Sequence, residues 1–268
     1  MYLLFCPIVI FLFGLIVGSF LNCVIYRLET GGSFLKGRSF CPHCKHKLAL
    51  QDLIPVFSFL FLKGKCRYCG QKISPQYPII EIATGLLFLP IFNFQFSVFN
   101  EFSISQFSSL LYYWTIASFL IIVFVYDLKH YIIPDKVIYP AIAIALIFNF
   151  QFLISKQFLI FNSQILSAFG AAAFFAAIVL VSRGKWMGIG DIKLAFLMGL
   201  ILGWPNIFVA LSLAFFIGAI MGIGLIIFGR KKMKSEIPLG PFLITGTFLI
   251  MFFGNKIMSW YLNLFLLK

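Results

Sequence analysis

The run LLFCPIVIFLFGLIVGSFLNCVIY, residues 3–26, holds no charged side chain. A helix needs roughly 20 apolar residues to cross a bilayer, and this stretch supplies them. Seven further apolar runs follow, at residues 79–94, 108–126, 138–154, 165–181, 192–202, 207–228 and 241–267, parted by charged or Pro/Gly-marked breaks. The sixth of the eight is short, and only Gly203, Trp204, Pro205 and Asn206 separate it from the seventh. Those four residues suit a tight turn, which predicts a helical hairpin whose first arm begins within 188–191. The expected fold is an all-α polytopic membrane protein with about eight transmembrane helices. Composition agrees, since 62% of the 268 residues are hydrophobic, 11% are charged, and mean hydropathy is +1.03. Globular domains run near half apolar and a quarter charged, so a disordered chain and an ordinary soluble enzyme are both excluded.

The formal charge of +13 comes from 21 Lys and Arg against 8 Asp and Glu. In a soluble protein it would suggest nucleic acid; here its distribution makes it a topology signal, and no nucleic-acid partner is expected. Basic residues in short loops stay in the cytoplasm. With eight spans, eighteen of the 21 fall on one side: Arg27, Lys36, Arg38, Lys45, Lys47, Lys63, Lys65, Arg67 and Lys72, then Lys129 and Lys136, then Arg183, Lys185 and Lys193, then Arg230, Lys231, Lys232 and Lys234. Lys156, Lys256 and Lys268 occupy the other side, so both termini are expected to face outward. No basic residue precedes the first span and no small-residue cleavage site closes it, so it is expected to remain as an anchor.

Between the first two spans lies the one polar segment of any size, about 27–76, with four of the six cysteines in Cys41-Pro-His-Cys44 and Cys66-Arg-Tyr-Cys69. Some fifty residues are near the limit at which a core alone holds a fold, so a staple is expected. Two CxxC pairs fit a structural four-cysteine zinc site, each pair presenting two thiolates to one tetrahedral ion. Disulfides are the competing reading, but the charge rule places this segment in the reducing cytoplasm. His43 and His46 read as solvated histidines beside a shell four thiolates already complete. Cys6 and Cys23, in the first span, read as small hydrophobes.

Eight acids remain to be accounted for. Glu29, Asp52, Glu101 and Glu236 fall in loops or the polar segment, where solvation explains them. Glu81, Asp127, Asp135 and Asp191 stand at span ends, where a carboxylate at membrane depth costs roughly 2.5–3.5 kcal/mol and is a functional candidate. Asp135, after Pro134, and Asp191 could each simply cap the helix that follows. Asp127 has no such role, because it closes a helix whose C-terminal dipole disfavours an anion. Two carboxylates at one boundary share a proton, one acting as base on water, as in aspartic proteases. On that dipole Asp127 keeps the proton and Asp191 is ionised. Asp191 sits in Met187-Gly188-Ile189-Gly190-Asp191-Ile192-Lys193, whose glycines permit close backbone approach and an unwound helix start.

These residues in order resemble the type IV prepilin peptidases, a family of bifunctional leader peptidases and N-methyltransferases of the GxGD aspartic protease type. The likeness runs through Gly18-Ser19-Phe20-Leu21-Asn22 with Tyr26-Arg27, both CxxC pairs, Ile54-Pro55-Val56 with Ser58, Gly64-Lys65-Cys66, Tyr77-Pro78 with Glu81, Asp127, Ile133-Pro134-Asp135, 187–194, and Pro238-Leu239-Gly240-Pro241-Phe242. It implies that Asp127 and Asp191 are the catalytic dyad, with Gly188, Gly190, Lys193 and Asp135 supporting the peptidase loop. Prepilins and pseudopilins of type IV pili or type II secretion are the implied substrates, cut after the glycine that ends a basic leader on the cytoplasmic face of the inner membrane. Methylation of the new N-terminus with S-adenosylmethionine is implied as well, with Gly64, Lys65 and Glu81 at associated positions; no Gly-rich or Rossmann fingerprint for that donor is present. The implied organisation is a first helix at 1–26, a cytoplasmic four-cysteine domain at 27–77, helices two to eight at 78–268, a methylase-associated half at 1–95 and a peptidase core at 108–268. Both termini would be periplasmic.

Three other readings compete. A small cation or proton transporter would use the boundary acids, yet these cluster at one face and no inverted repeat is visible. A zinc-bearing scaffold leaves Asp127 and the GxGD segment unexplained. A peptidase without methylase activity would not need Gly64 to Cys66. For Glu81, an ion pair with a nearby Lys or Arg competes with a methylase role.

Overall fold

The computed structural model describes residues 2–33, 37–97, 104–154, 158–228 and 237–266. Lys36, Glu101, Lys156, Arg230, Lys231, Lys232, Lys234, Glu236 and Lys268 lie outside them, as does the Cys6 side chain. Every apolar run of the sequence lies on a helix: α1 (Tyr2–Thr30), α3 (Gln76–Ser97), α4 (Ile104–His130), α5 (Asp135–Ile154), α6 (Phe158–Ser182), α7 (Ile189–Leu202), α8 (Asn206–Ile227) and α9 (Gly240–Leu266). A 3-10 turn (Leu50–Leu53) and the short α2 (Phe57–Phe61) lie between α1 and α3. Among the described residues there is no strand, only the isolated bridges Phe40 to Lys47 and Lys65 to Lys72. By length and composition alone, four stretches suffice to cross a membrane: Pro7–Thr30, Gln106–His130, Phe158–Ser182 and Asn206–Ile227.

The chain divides into two compact units, Met1–Ile122 and Val123–Lys268. In the first, α1 and α3 touch through glycine. A Cβ on Gly14 would stand 2.6 Å from Gly85 Cα, and one on Gly18 would stand 2.6 Å from Glu81 Cα. Gly14 and Gly18, four apart on one helix face, let the two backbones meet, which is how helices associate where lipid removes the hydrophobic drive. Phe88 of α3 stacks on Trp114 of α4 at 5.0 Å and 5°, and the indole N–H donates to Phe88 O at 3.3 Å.

In the second unit α7 is the core. Leu194, Ala195, Leu197, Met198, Leu200 and Ile201 are all buried, and α5, α6 and α9 pack around it. Gly199 lies against the backbone of Ser167 and Ala168, so any side chain there would push α6 away. Fourteen residues span about 21 Å at 1.5 Å each, short of a hydrocarbon core of about 30 Å. Burial by neighbouring helices fits a helix that is short and, after Lys193, apolar on every side. Asn149 Nδ2 donates to Leu200 O at 3.0 Å, and Ser163 Oγ bonds both Trp204 N–H and Trp204 O, which ties down the turn before α8.

Candidate active site and cysteine module

Asp127 lies three residues from the end of α4 and is 4% exposed. Its Oδ2 accepts the N–H of Gly240, the first residue of α9, at 3.1 Å. A Cβ on Gly240 would stand 2.5 Å from that oxygen, so any side chain here would push the Asp127 carboxylate aside. Pro241 follows, a residue suited to the first helical turn because it gives up an N–H that has no partner there. Asp127 therefore faces two helix ends of opposite polarity, the C-terminal turn of α4 and the N-terminus of α9. Considering α4 alone set this acid apart from Asp191; with α9 included, the helix ends do not rank the two.

Asp191 lies in the first turn of α7, half-buried, and its Oδ2 accepts the Gly188 N–H at 3.2 Å. The capping reading of this residue thus describes one of its contacts. Asp127, 64 positions away, lies close enough for the two carboxylates to interact electrostatically. The two glycines of the GxGD segment differ. Gly190 packs tightly on Ile133, where a Cβ would lie 3.0 Å from the isoleucine Cβ, whereas a Cβ on Gly188 would meet nothing closer than 3.9 Å. Asp135 opens α5, and its carboxylate pairs with Lys193 Nζ at 2.5 Å instead of capping the helix. The same ammonium lies 4.8 Å from the Tyr139 ring. With Asp135 59% exposed, this bridge links the starts of α5 and α7 at small net gain.

In the first unit Cys41, Cys44, Cys66 and Cys69 place their sulfurs within 4.8 Å of one another, with Cys41 and Cys69 Sγ 3.9 Å apart. Zinc–sulfur bonds of about 2.3 Å in a tetrahedron separate sulfurs by about 3.8 Å, so the donor set fits one ion. The two CxxC turns are copies offset by 25 residues. Cys41 N–H donates to His46 O and Cys66 N–H to Gln71 O, while the N–H of Lys45 and of Gly70 return to the carbonyls of Cys41 and Cys66. Lys45 (φ 58°) and Gly70 (φ 70°) occupy the same left-handed position of each copy. His43 and His46 are exposed, and His46 lies over Tyr68 at 3.7 Å. Asp52 is more than a solvated acid: Arg67 Nε at 2.7 Å, Tyr68 Oη at 3.0 Å and Ala49 N–H at 3.1 Å all donate to it. Burial pushes its carboxyl up, but these donors outweigh burial and hold it below the usual carboxylate range.

A cavity of about 520 Å³ lies under this module, lined in part by Ser19, Asn22 and Tyr26 of α1, Tyr77 and Glu81 of α3, and Phe40, Phe59 and Tyr68 between them. That volume falls in the roughly 300–1,000 Å³ range of small-molecule sites. Glu81, 6% exposed, accepts the Val56 N–H at 2.7 Å and a hydrogen bond from Ser19. Among the described residues no basic side chain forms an ion pair with it, although Arg27, Arg67 and Lys72 also line the cavity. Val56 takes φ 60°, ψ −50°, an outlier for a β-branched residue, of the kind that tends to occur where a fold serves a site. Asn22 is 2% exposed; its Nδ2 donates to Gly18 O and Tyr77 O, and its Oδ1 has no hydrogen-bond partner. The wall thus combines aromatic rings with one buried carboxylate and the cationic side chains of Arg27, Arg67 and Lys72. Gly64 and Lys65 are not in the cavity wall. Gly64 (φ 68°) ends the turn after α2 and Lys65 opens the second CxxC copy.

Gly240, Asp52 and Asn22 were not singled out in the sequence as site residues. For Gly240 the available signal was a glycine followed by proline at a helix start. For Asn22 it was an amide inside an apolar run, where a polar group must find partners.

The family model described as the bacterial peptidase A24 N-terminal domain matches residues 12–94, and that of the type IV leader peptidase family matches residues 114–223. The prepilin leader peptidase/N-methyltransferase of Bacillus subtilis (strain 168) is 34% identical over 260 residues, covering 96% of this chain and 98% of the relative. That of Legionella pneumophila is 32% identical over 286 residues, covering 97% and 95%. That of Aeromonas hydrophila is 30% identical over 285 residues, covering 96% and 94%. No solved structure matches.

Proposed function

Because the chain belongs to the type IV leader peptidase family, we propose that it is an inner-membrane aspartic endopeptidase that removes the leader of prepilins and pseudopilins and then methylates the new N-terminus. The observation that carries the peptidase half is that Asp127 and Asp191 lie within electrostatic range of each other and each accepts one backbone N–H. Sharing a single proton, the pair does two jobs. The ionised carboxylate takes a proton from water as it adds to the scissile carbonyl, and the protonated one donates to the carbonyl oxygen. Collapse of the tetrahedral adduct then breaks the C–N bond, and the leaving amine takes up a proton. The Gly240 and Gly188 N–H groups hold the two carboxylates in place, and Gly190 against Ile133 keeps the start of α7 close. Lys193 and Asp135 support that loop.

Eight helices cross the membrane in this reading, α1 and α3 to α9, with both termini periplasmic and the bond cut on the cytoplasmic side, after the glycine that ends the leader. The domains run 1–26, 27–77 and 78–268, with a methylase-associated half at 1–95 and the peptidase core at 108–268. The four cysteines hold a structural zinc ion that closes the cytoplasmic module, and the cavity beneath it takes S-adenosylmethionine. When bound there, the donor supplies an activated methyl group. Glu81 is the anion that faces its positive charge, and the aromatic walls exclude water. Gly64 and Lys65 act at a distance, by setting the turn that leads into the second CxxC copy.

Coexpression with a prepilin, followed by the mass and N-terminal sequence of the product, tests both halves. Asp127→Ala and Asp191→Ala are expected to leave the leader on with zinc content unchanged; cleavage surviving both refutes the dyad. Glu81→Gln is expected to give a cleaved, unmethylated product that no longer retains labelled S-adenosylmethionine in equilibrium dialysis; undiminished binding refutes the assignment of Glu81.

A further inference from the structure

The module between α1 and α3 carries exposed apolar side chains that the described residues of its own unit leave uncovered. Along residues 50–61, Leu50 is 83% exposed, Ile54 50%, Phe57 48%, Leu60 63% and Phe61 83%. The one charged residue of that stretch, Asp52, is turned inward onto Arg67 and Tyr68. Single exposed apolar side chains are ordinary, but five within twelve residues form a patch that marks an interaction surface.

Its depth says what covers it. Val56 N–H is bonded to Glu81, and Glu81 Cα lies against Gly18. Gly18 is nine residues short of Arg27, the first charge of α1, which at 1.5 Å per residue is about 13 Å along the helix. Even a glutamate extended fully toward Arg27 leaves Val56 several ångströms below that charge. The stretch is thereby pinned level with the apolar body of α1. On α3, Ile79, Ile82 and Leu86 are 62%, 38% and 56% exposed, so an outward apolar face exists at this depth and below it. At the far end of the stretch come Lys63 and Lys65, both exposed, where phospholipid headgroups would meet them.

We propose that residues 50–61 form an interfacial wedge whose apolar face is covered by the acyl chains of the cytoplasmic leaflet, with Lys63 and Lys65 among anionic headgroups. The module then rests on lipid and does not project freely into water. The wedge and the cavity share Glu81, so the leaflet supports the floor on which the methyl donor would sit. The inference rests on α1 and α3 crossing the bilayer with the module on the cytoplasmic side.

Photo-crosslinking tests it. The full chain carrying p-benzoylphenylalanine in place of Phe57, Phe61, Leu86 or Lys47 is reconstituted into phosphatidylethanolamine/phosphatidylglycerol vesicles, irradiated and digested, and the labelled peptide is weighed. Lipid adducts are expected at 57, 61 and 86 and none at 47, with zinc content equal in all four. Adducts at 86 but none at 57 or 61 overturn the wedge and leave the membrane reading standing. No adduct at 86 overturns both. Transfer of the 57 and 61 crosslinks from lipid to an added prepilin also overturns the wedge, making the patch a substrate surface.

Discussion

A single methyl group at position 240 should disable the peptidase without unfolding it. The Cβ of a Gly240→Ala variant would stand 2.5 Å from Asp127 Oδ2, where ordinary contact begins near 3.4 Å, so carboxylate and helix start must part by about 0.9 Å. The N–H donated by the same residue at 3.1 Å is lost or lengthened in that movement. Displacements near 1 Å at a reacting group cost on the order of 10²-fold in rate, whereas overpacking one methyl costs about 1–3 kcal/mol of stability. The expected result is a fall in kcat of about two orders of magnitude with KM little changed and the chain still monodisperse in detergent, measured as single-turnover cleavage of a purified prepilin. Gly224→Ala is the control: nothing lies within 4 Å of its would-be Cβ, and alanine is the better helix former by about 1 kcal/mol, so cleavage should stay at the parent rate. Cleavage by Gly240→Ala within about threefold of the parent would refute a role for the α9 start in placing Asp127.

Other expectations concern the same two units. Metal analysis should find one zinc per chain, and Cys44→Ser or Cys69→Ser should remove it and expose residues 37–72 to trypsin, because structural zinc supplies folding energy of about 10–16 kcal/mol. Asp52→Asn should lower the temperature of zinc release near neutral pH. The native carboxyl titrates below its unfolded value, so its contribution is complete above the unfolded value and disappears as pH falls through the folded one; parent and variant should converge in acid. Asp135→Ala should change thermal stability by less than about 1 kcal/mol and leave cleavage measurable, since the Asp135 end of the Lys193 bridge is exposed to solvent, in contrast to complete loss in Asp191→Ala.

Helices, turn and cysteine cluster were legible because each depends on neighbours in sequence: apolar length for α1 and α4, the Gly203 to Asn206 break, the two CxxC spacings. Asp127 and Asp191 stood out for another reason, the scarcity of acids in an apolar chain. Contacts across long separations were not. Gly240 meets Asp127 from 113 positions away, and at that distance a glycine before a proline reads as a helix start and nothing more. Asp52 passed for a solvated acid because its partners Arg67 and Tyr68 belong to the other CxxC copy. The Val56 N–H that occupies Glu81 could not be read either, since backbone donors leave no mark on composition.

The burial of α7 also bears on how the protein is made. A fourteen-residue helix that packs chiefly on other helices is too short to span the hydrocarbon core, so on its own it has no stable place in a bilayer. Its partition depends on α5 and α6 already standing to receive it, and its packing is complete only when α9 arrives. Chains from which α5 and α6 are deleted should therefore leave residues 189–202 open to protease, whereas chains ending just after Leu202 should keep them protected. The residue that carries the GxGD carboxylate would thus reach its station only after α5 and α6 stand around it.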